Sequence, residues 1–475
     1  MRVWSQPSEL ARQNLGDYLL APAREEIGKR FAADPVTAGR LHYSLGQAYD
    51  DLGDYTDASG EFRSAIAAQT AALGADHPDT LSSQLRLAVV EQQLGDYPVA
   101  EATANAVIDA RKRVLGARHG DTLLARGVLA KIMMMRGDYA AARKICDQIV
   151  PEIRRIFGAD AQETLLVESD LAGIMQKQGQ NDRAEALQTQ VLEARRRVLG
   201  NEDVDTLVAI SNLANTLDDE NKYAASRDLD IEALNIARRT LGEDHPRTLI
   251  VKGSLANVLA DMGNFKEASR IEGQVLEAQT RELGPDNPET IRTMNNHADT
   301  LLAIGDYNNA RRMAEHVLAV RQRTLGDDNS KTLNAMFNLG QTLVKLDEFE
   351  RARQLLQAAY DGQSRLLGPE HALTLAAKVE LARALLGLGR TAQALQLAEQ
   401  ALEVNRRLYG ADDPTTVDAI DALSSIFAAQ GDYAKAAEFA RDALGIEQRT
   451  LQADNPDLAE TRRNLEDYSK HLQPR

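Results

Sequence analysis

Few residues in this sequence of 475 have the types and spacing that catalysis requires. The chain contains no phosphate-binding loop of the GxxxxGKS or GxxxxGKT type, no HExxH zinc motif, no GxSxG nucleophile elbow and no kinase signature. The segment 387–392 (GLGRTA) imitates a dinucleotide fingerprint, but Gly389 fits a turn between two helices and no strand precedes it. The sequence therefore predicts neither an enzyme nor a cofactor.

Cysteine and histidine, the residues most often used to bind transition metals, do not form a metal-binding pattern in this sequence. Cys146 is the only cysteine, which excludes an intrachain disulfide or a cysteine-built metal site, and its apolar column predicts an inert buried thiol. His297 replaces a core leucine and is interpreted as a buried core histidine rather than a ligand, with local loosening or pH sensitivity left open. Four other histidines lie before predicted helices rather than as i, i+4 pairs, so we expect helix caps: His77, His119, His245 and His371.

Composition narrows the class of partner. Hydrophobic residues make up 43%, charged residues 27% and aromatics only 4%, which is typical of an all-α globular protein. The 71 acidic residues exceed the 55 basic ones, and the net charge of −16 argues against nucleic acid and anionic membranes. Basic runs such as 111–113 and 195–197 fall at predicted helix ends, where they complement the helix dipole as solvated surface. The predicted partners are proteins or peptides, not nucleic acids.

Targeting signals are lacking in the sequence. No apolar run approaches the eighteen or so residues of a membrane span, and the first residues lack the charged-then-apolar order of a signal peptide. We therefore expect no membrane insertion and a cytoplasmic location.

An internal repeat dominates the chain. Glycine recurs nine times at intervals of 42 residues, from Gly74 to Gly410, and a threonine column runs in step from Thr80 to Thr416. A third column of glycines begins at Gly53, and Asn221 and Asp347 fill two of its gaps. Ten repeats of 42 residues thus occupy residues 36–455, preceded by lead-in helices in 1–35 and followed by a capping helix and tail in 456–475.

Each repeat has the hydrophobic period of two helices. In the fifth repeat, Leu213 lies on one apolar stripe and Ala233 on a second stripe after a break. The junction LGEDHPRTL places Gly242 at a helix end and Pro246 at the first position of the next helix. A leucine followed by a small residue recurs in the first helix, and an alanine column in the second, which predicts close packing of the pair.

These columns resemble the tetratricopeptide repeat, in the 42-residue form of kinesin light chains and of bacterial regulatory proteins. The resemblance covers residues 36–455 and implies a right-handed superhelical solenoid of ten helix pairs with a C-terminal capping helix. It also implies that first helices bind ligands through side chains that point into a concave groove. Carried over to this chain, these positions are Ser211, Asn212, Asn215, Asp218, Asp219, Ser254, Asn257, Asp261, Asn295, Asn296, Asp299, Phe337, Asn338 and Gln341.

Asparagine and methionine give two parts of this groove distinct characters. An amide both donates and accepts hydrogen bonds, so the asparagines among these positions, here called the asparagine row, predict a binding surface for an extended peptide backbone. The alternative is that asparagine is merely tolerated on an exposed polar face. In the third repeat, Leu124, Met134 and Met135 instead form an apolar patch. We interpret it as a hydrophobic anchor for one partner side chain or as a local bend, to which Pro151 in the second helix would contribute; the alternative is a tolerated methionine cluster without a function.

The sequence therefore predicts a non-catalytic scaffold or adaptor that binds an extended peptide or partner protein. The alternative is a sensory arm of a bacterial signalling protein, such as a kinase, an ATPase or a transcription regulator, that responds to a peptide.

Overall fold

The computed structural model describes residues 16–450 and 455–472. Within these residues the chain forms a π-helical turn (Gly16–Leu20) and twenty-two α-helices, and no strand. The predicted all-α repeat solenoid is confirmed. In the segment 1–35, for which lead-in helices are predicted, the structure contains α1 (Ala21–Arg30), and residues 1–15 lie outside the described range.

The helices fall in two compact units, Met1–Ser254 and Leu255–Arg475, with the boundary inside α12. Those before the boundary are α2 (Pro35–Leu52), α3 (Tyr55–Leu73), α4 (Pro78–Gln93), α5 (Tyr97–Val114), α6 (Gly120–Arg136), α7 (Tyr139–Phe157), α8 (Gln162–Lys177), α9 (Asn181–Leu199), α10 (Val204–Asp219) and α11 (Tyr223–Thr240). The rest are α12 (Pro246–Asp261), α13 (Phe265–Leu283), α14 (Pro288–Ala303), α15 (Tyr307–Leu325), α16 (Ser330–Lys345), α17 (Phe349–Leu367), α18 (Ala372–Gly387), α19 (Thr391–Leu408), α20 (Pro414–Ala429), α21 (Tyr433–Thr450) and α22 (Pro456–Leu472).

Even-numbered helices from α2 to α20 are the first helices of repeats 1 to 10, and each following odd-numbered helix is the second. α22 packs against α21 at the end of the last repeat. The exact limits of the ten repeats and of the two flanking segments stay a prediction. None of the described helices combines the length and the apolar character that a membrane crossing requires.

Helix ends follow from the repeating residues. The nine junction glycines have φ between 81° and 100°, and Asn221 and Asp347 adopt φ of 58° and 59° in the turns where glycine is otherwise used. The four predicted histidine caps are confirmed, since each Nδ1 accepts a hydrogen bond from the backbone N–H two residues later. In seven repeats the threonine hydroxyl donates to the carbonyl oxygen of the junction glycine, at 2.7–2.9 Å.

The core of each helix pair is built on small residues. Ala130 of α6 and Ala142 of α7 are fully buried, and Cys146 packs in the same cluster. The paired positions compensate in volume, because Gly46 faces Phe62 and Gly340 faces Leu356. The leucine-small and alanine columns therefore set the distance between the two helices of a repeat, as predicted.

The basic helix ends pair with acidic junctions. An arginine near the end of the second helix contacts an Asp or Glu 37 residues earlier in seven repeats, and these pairs are largely exposed. This arrangement fits the prediction of a solvated surface, since neighbouring carboxylates balance the guanidinium charges. The pairs are Arg113–Asp76, Arg197–Asp160, Arg239–Glu202, Arg323–Asp286, Arg365–Asp328, Arg407–Glu370 and Arg449–Asp412.

Candidate functional site

In the N-terminal unit, α10 presents its predicted groove residues on one face. Helical spacing separates them from Leu213 and Leu217, which are buried in the core. Asn215 and Asp219 are exposed. The half-buried members of this face are Ser211, Asn212 and Asp218, and Ser254 at the end of the unit is half-buried as well.

Hydrogen bonds join this face to the preceding first helix, α8. Asn212 Nδ2 donates to Ser169 Oγ at 3.3 Å, and Gln176 Nε2 donates to Asp219 Oδ2 at 2.7 Å. The first bond lies at the middle of α10 and the second at its C-terminal end, and each joins residues 43 positions apart in neighbouring repeats. The polar faces of α8 and α10 therefore form one surface.

The C-terminal unit has a second and more tightly bonded polar surface on α12, α14 and α16. Asn296 Nδ2 donates to Asn257 Oδ1 at 2.9 Å, which joins α14 to α12. Asn338 Nδ2 donates to both carboxylate oxygens of Asp299, at 2.8 and 3.0 Å, which joins α16 to α14. Phe337 and Gln341 flank Asn338 and are half-buried, whereas Asp261 at the end of α12 is exposed.

The asparagine row thus has internal as well as outward-facing members. Asn295 and Asn338 are each only 8% exposed, and Asn295 bonds both Asp299 (3.2 Å) and Arg321 (3.1 Å). These two amides hold neighbouring helices together. Asn257 keeps half-exposed surface and offers its amide to a ligand more readily.

Three carboxyls with raised pKa values lie in or near these faces: Asp230 and Glu272 are buried, whereas Asp299 is solvent-exposed. Asp230 of α11 and Glu272 of α13 occupy the core column that holds Cys146 in repeat 3, and burial raises the pKa of each to about 7. Desolvation also raises the pKa of Asp299 to about 7, with Glu272 adding to the rise and Arg321 opposing it. The column position of Asp230 and Glu272 was the signal in the sequence that would have revealed them.

The apolar patch of repeat 3 is only partly at the surface. Leu124 and Met134 pack against the core of repeats 3 and 4, and Met134 lies beside Gly173 of α8. Met135 is 49% exposed. α7 runs unbroken from Tyr139 to Phe157 through Pro151.

Sequence reasoning missed an exposed apolar column in the N-terminal unit. Leu166 of α8 and Ile250 of α12 are 49% and 45% exposed. Val208 of α10 occupies the same position in the intervening repeat and is half-buried. All three stand at multiples of 42 residues from Leu124, so the repeat period itself carried the signal. This column lies on the same first helices as the polar face and adds an apolar strip to it.

The other chemical candidates have structural roles. Cys146 is buried as predicted, and burial raises the pKa of its thiol to about 12; its lack of reactivity stays a prediction. His297 is buried, contacts Ser269 Oγ through Nε2 at 3.1 Å and has its pKa lowered by desolvation. Gly389 has φ of 72° in the turn between α18 and α19. Among the described residues, no three His, Cys, Asp or Glu side chains gather into a metal-binding group.

Comparison with known proteins places this geometry in context. A family model described as tetratricopeptide repeat matches nearly the whole chain, in overlapping segments at residues 37–113, 82–149, 121–197, 163–229, 205–281, 253–323, 289–365, 343–407 and 373–449. The curated proteins give no significant match.

Three solved structures are similar to this chain. The apo form of the quorum sensor NprR from B. thuringiensis is 13% identical, with a TM-score of 0.57 over 77% of this chain and 98% of that chain. The apo form of RapI is 13% identical, with a TM-score of 0.54 over 78% and 98%. A kinesin light chain from Podosopora anserina with nearly identical TPR-like repeats is 25% identical, with a TM-score of 0.38 over 43% and 96%.

Proposed function

Because the chain belongs to the tetratricopeptide-repeat family, we propose that it is a non-catalytic interaction scaffold that binds an extended peptide or a partner protein. The ligand lies along the polar faces of the first helices. The observation that carries this proposal is the presence of accessible amides on these faces: Asn215 in the N-terminal unit, and Asn257 and Gln341 in the C-terminal unit. An amide bonds both the N–H and the C=O of a peptide backbone, so it holds an extended chain with little demand on its sequence.

Internal hydrogen bonds support the same role. The Asn296–Asn257 and Asn338–Asp299 bonds fix the register of neighbouring first helices before any ligand arrives. A surface that is already ordered loses less conformational entropy on binding. In the C-terminal unit these bonds therefore hold the first helices in place, while Asn257 and Gln341 keep part of their surface for a ligand.

The apolar column gives the N-terminal unit a second kind of contact. Leu166 and Ile250 expose nearly half of their surface on first helices, next to the polar face of α10. A peptide with alternating polar and apolar side chains would satisfy both strips. We assign no reaction to the chain, because burial in the repeat core accounts for the raised pKa values of Asp230 and Glu272.

A random-peptide display library panned against the full chain tests this function. Two variants probe the two units separately: Asn215→Ala with Asp219→Ala, and Asn257→Ala with Gln341→Ala. Loss of two hydrogen bonds predicts about tenfold weaker binding of the enriched peptides to at least one variant. The matched control is Glu399→Ala with Glu403→Ala, two exposed residues on the second helix α19.

Circular dichroism first shows that all three variants are helical. Binding within about twofold of the unaltered chain is expected for the control. Enriched peptides that bind both groove variants as tightly as the control would refute the proposal, as would a library from which no peptide is enriched.

A second candidate function is a sensory arm that regulates a separate signalling protein. The solved structure titled as the quorum sensor NprR has this fold, with a TM-score of 0.57. A sensory arm responds to a short free peptide, whereas an adaptor binds a segment within a folded partner. Calorimetry distinguishes the two functions. The chain is titrated first with a free enriched peptide and then with a folded carrier protein that has the same peptide inserted in a surface loop. Binding of the free peptide alone would favour the sensory arm.

A further inference from the structure

An apolar column runs along four consecutive first helices of the N-terminal unit. Its members stand at equivalent positions of repeats 3 to 6 and are Leu124, Leu166, Val208 and Ile250. In the other six repeats this position has a charged, polar or small residue: Arg40, Ser82, Arg292, Asn334, Ala376 and Asp418. The apolar column is therefore a property of these four repeats and not of the repeat in general.

The core of these repeats does not require the side chains of the apolar column. In each of the four repeats the preceding leucine takes the core position and is only 2–3% exposed: Leu123, Leu165, Leu207 and Leu249. Leu166 and Ile250 keep nearly half of their surface exposed, and Val204, one turn before Val208 on α10, is 36% exposed. Exposed apolar residues on successive helices, unlike a single one, indicate an interaction surface.

The first helices that carry the column are neighbours. Cα atoms of α6 and α8 approach within 8 Å, as do those of α8 and α10. Lys131 Nζ of α6 lies 3.6 Å from Asp170 Oδ1 of α8, and this ion pair joins the first two helices. The Asn212–Ser169 hydrogen bond joins α10 to α8. Because packed helices have axes about 8–10 Å apart, consecutive residues of the column are separated by about this distance.

This spacing matches one conformation of an extended peptide that crosses the helices. A polyproline II segment has three residues per turn, so the side chains on one face recur about every 9 Å. A β-strand repeats one face about every 7 Å, which is shorter than the step from one helix to the next. The apolar column therefore fits an apolar side chain at every third residue, which refines the alternation of polar and apolar side chains given above.

The polar residues next to the column suit the backbone of such a segment. A polyproline II segment has no internal hydrogen bonds, so its backbone groups need partners outside it. On α10, Ser211 and Asn212 lie one turn after Val208, and Asn215 lies two turns after it. Asn215 is exposed, and Ser211 and Asn212 are half-buried. The column thus offers contacts for side chains, and the polar residues offer hydrogen bonds for the backbone between them.

The surface charge of the same helices indicates the remaining side chains of the partner. The charged groups of α8 and α10 outside the core are Glu163, Asp170, Lys177, Asp205, Asp218 and Asp219. Lys131 of α6 balances Asp170, and Arg247 of α12 adds one further cation. The acidic groups remain in excess, so basic side chains between the apolar ones complement this surface.

We propose that the apolar column binds a partner segment in the polyproline II conformation, with an apolar side chain at every third residue and Lys or Arg between them. The inference rests on the proposed function and adds the conformation and the residue pattern of the peptide to it. Each apolar side chain of the segment contacts one residue of the column. Proline in the segment favours binding, because its fixed φ reduces the conformational entropy that is lost.

Fluorescence anisotropy with three labelled peptides tests the inference on the full chain. The first peptide repeats the triplet Leu-Pro-Lys, the second has the same composition with its leucines grouped together, and the third repeats Leu-Pro-Glu. We expect the unaltered chain to bind the first peptide about tenfold more tightly than either of the others, because only the first matches both the spacing and the charge.

A pair of variants assigns this binding to the column. The test variant is Leu166→Gln with Ile250→Gln, and the control is Val114→Gln with Val198→Gln, two apolar residues of the second helices α5 and α9 that are 51% and 54% exposed. Circular dichroism first shows that both variants are helical. We expect the Leu-Pro-Lys peptide to bind the test variant about tenfold more weakly than the control, because two apolar contacts are lost.

The outcomes separate this inference from the proposed function. Equal binding of the Leu-Pro-Lys peptide to test variant and control would overturn the inference, as would equal binding of the first two peptides or of the Lys and Glu peptides to the unaltered chain. Library peptides without apolar residues at every third position that nevertheless lose affinity in Asn215→Ala with Asp219→Ala would overturn the inference and leave the proposed function standing. If no peptide of either kind binds the unaltered chain, both fall.

Discussion

Asp230 lies in the core of the N-terminal unit and destabilises the fold when it is charged. It is 2% exposed, and its Oδ1 has no hydrogen-bond partner among the described residues. Burial, with a smaller contribution from Asp218, raises its pKa from 3.8 to about 7. We predict that Asp230→Asn stabilises α10 and α11 at alkaline pH and has little effect at acidic pH.

The sign and size follow from linkage. The folded state binds the Asp230 proton more tightly than the unfolded state, so this residue lowers the free energy of unfolding as pH rises from about 4 through about 7. The difference between the two pKa values, at about 1.4 kcal/mol for each pH unit, amounts to about 4 kcal/mol once the carboxyl is fully ionised. Asparagine keeps the shape of the side chain and removes this dependence.

Hydrogen–deuterium exchange of peptides from α11, corrected for intrinsic rates, measures the local free energy of opening at pH 5.5 and pH 8.5. Relative to the unaltered chain, the Asp230→Asn chain should gain at least tenfold more protection at pH 8.5 than at pH 5.5, because about half of the destabilisation develops between these two pH values. Asp228→Asn is the control on the same helix, because Asp228 is exposed and pairs only with Arg227. Equal pH dependence in the unaltered and Asp230→Asn chains would refute the reasoning.

Three further predictions follow from the repeat core and its surface. Cys146, with a pKa of about 12, should react with a disulfide reagent at pH 8 only after denaturation, and rapid labelling of the folded chain would contradict its burial. Arg407→Gln breaks an exposed pair with Glu370 and should lower the free energy of unfolding by less than about 1 kcal/mol in urea titrations, whereas a larger loss would show a structural role. Gly340→Ala places a methyl group 2.5 Å from Leu356 Cγ and should cost about 1–3 kcal/mol by the same titration, whereas in a chain that already carries Leu356→Ala it should cost much less; an equal cost in the two chains would argue against direct contact.

The sequence predicted the features that one repeat determines by itself. The glycine and proline positions mark helix ends, and the left-handed conformations of Asn221 and Asp347 follow from their place in a glycine column. The histidine caps were predictable because a cap requires only the backbone two residues away. Such local rules give the fold class and the helix order directly.

The candidate site was less predictable because its contacts join different repeats. Asn338 has the composition and position of a groove residue, but its bonds to Asp299 of the preceding repeat make it part of the support. The same applies to Asn296 and Asn257. A column pattern indicates which residues share a face, and it does not tell which of them bond one another instead of a ligand.

Residues in different columns also compensate for one another, which a search of single columns does not detect. Where the small-residue column has glycine, at Gly46 and Gly340, the facing column has the bulky Phe62 and Leu356. A second exchange couples two other columns: Gln69 accepts a hydrogen bond from Ser83, and at the equivalent positions Glu447 accepts one from Thr461. The first exchange conserves volume, so it preserves the fold. The second one conserves a buried hydrogen bond, because a carboxyl oxygen accepts from a hydroxyl group as an amide oxygen does, so the contact between neighbouring repeats survives a change of both residues.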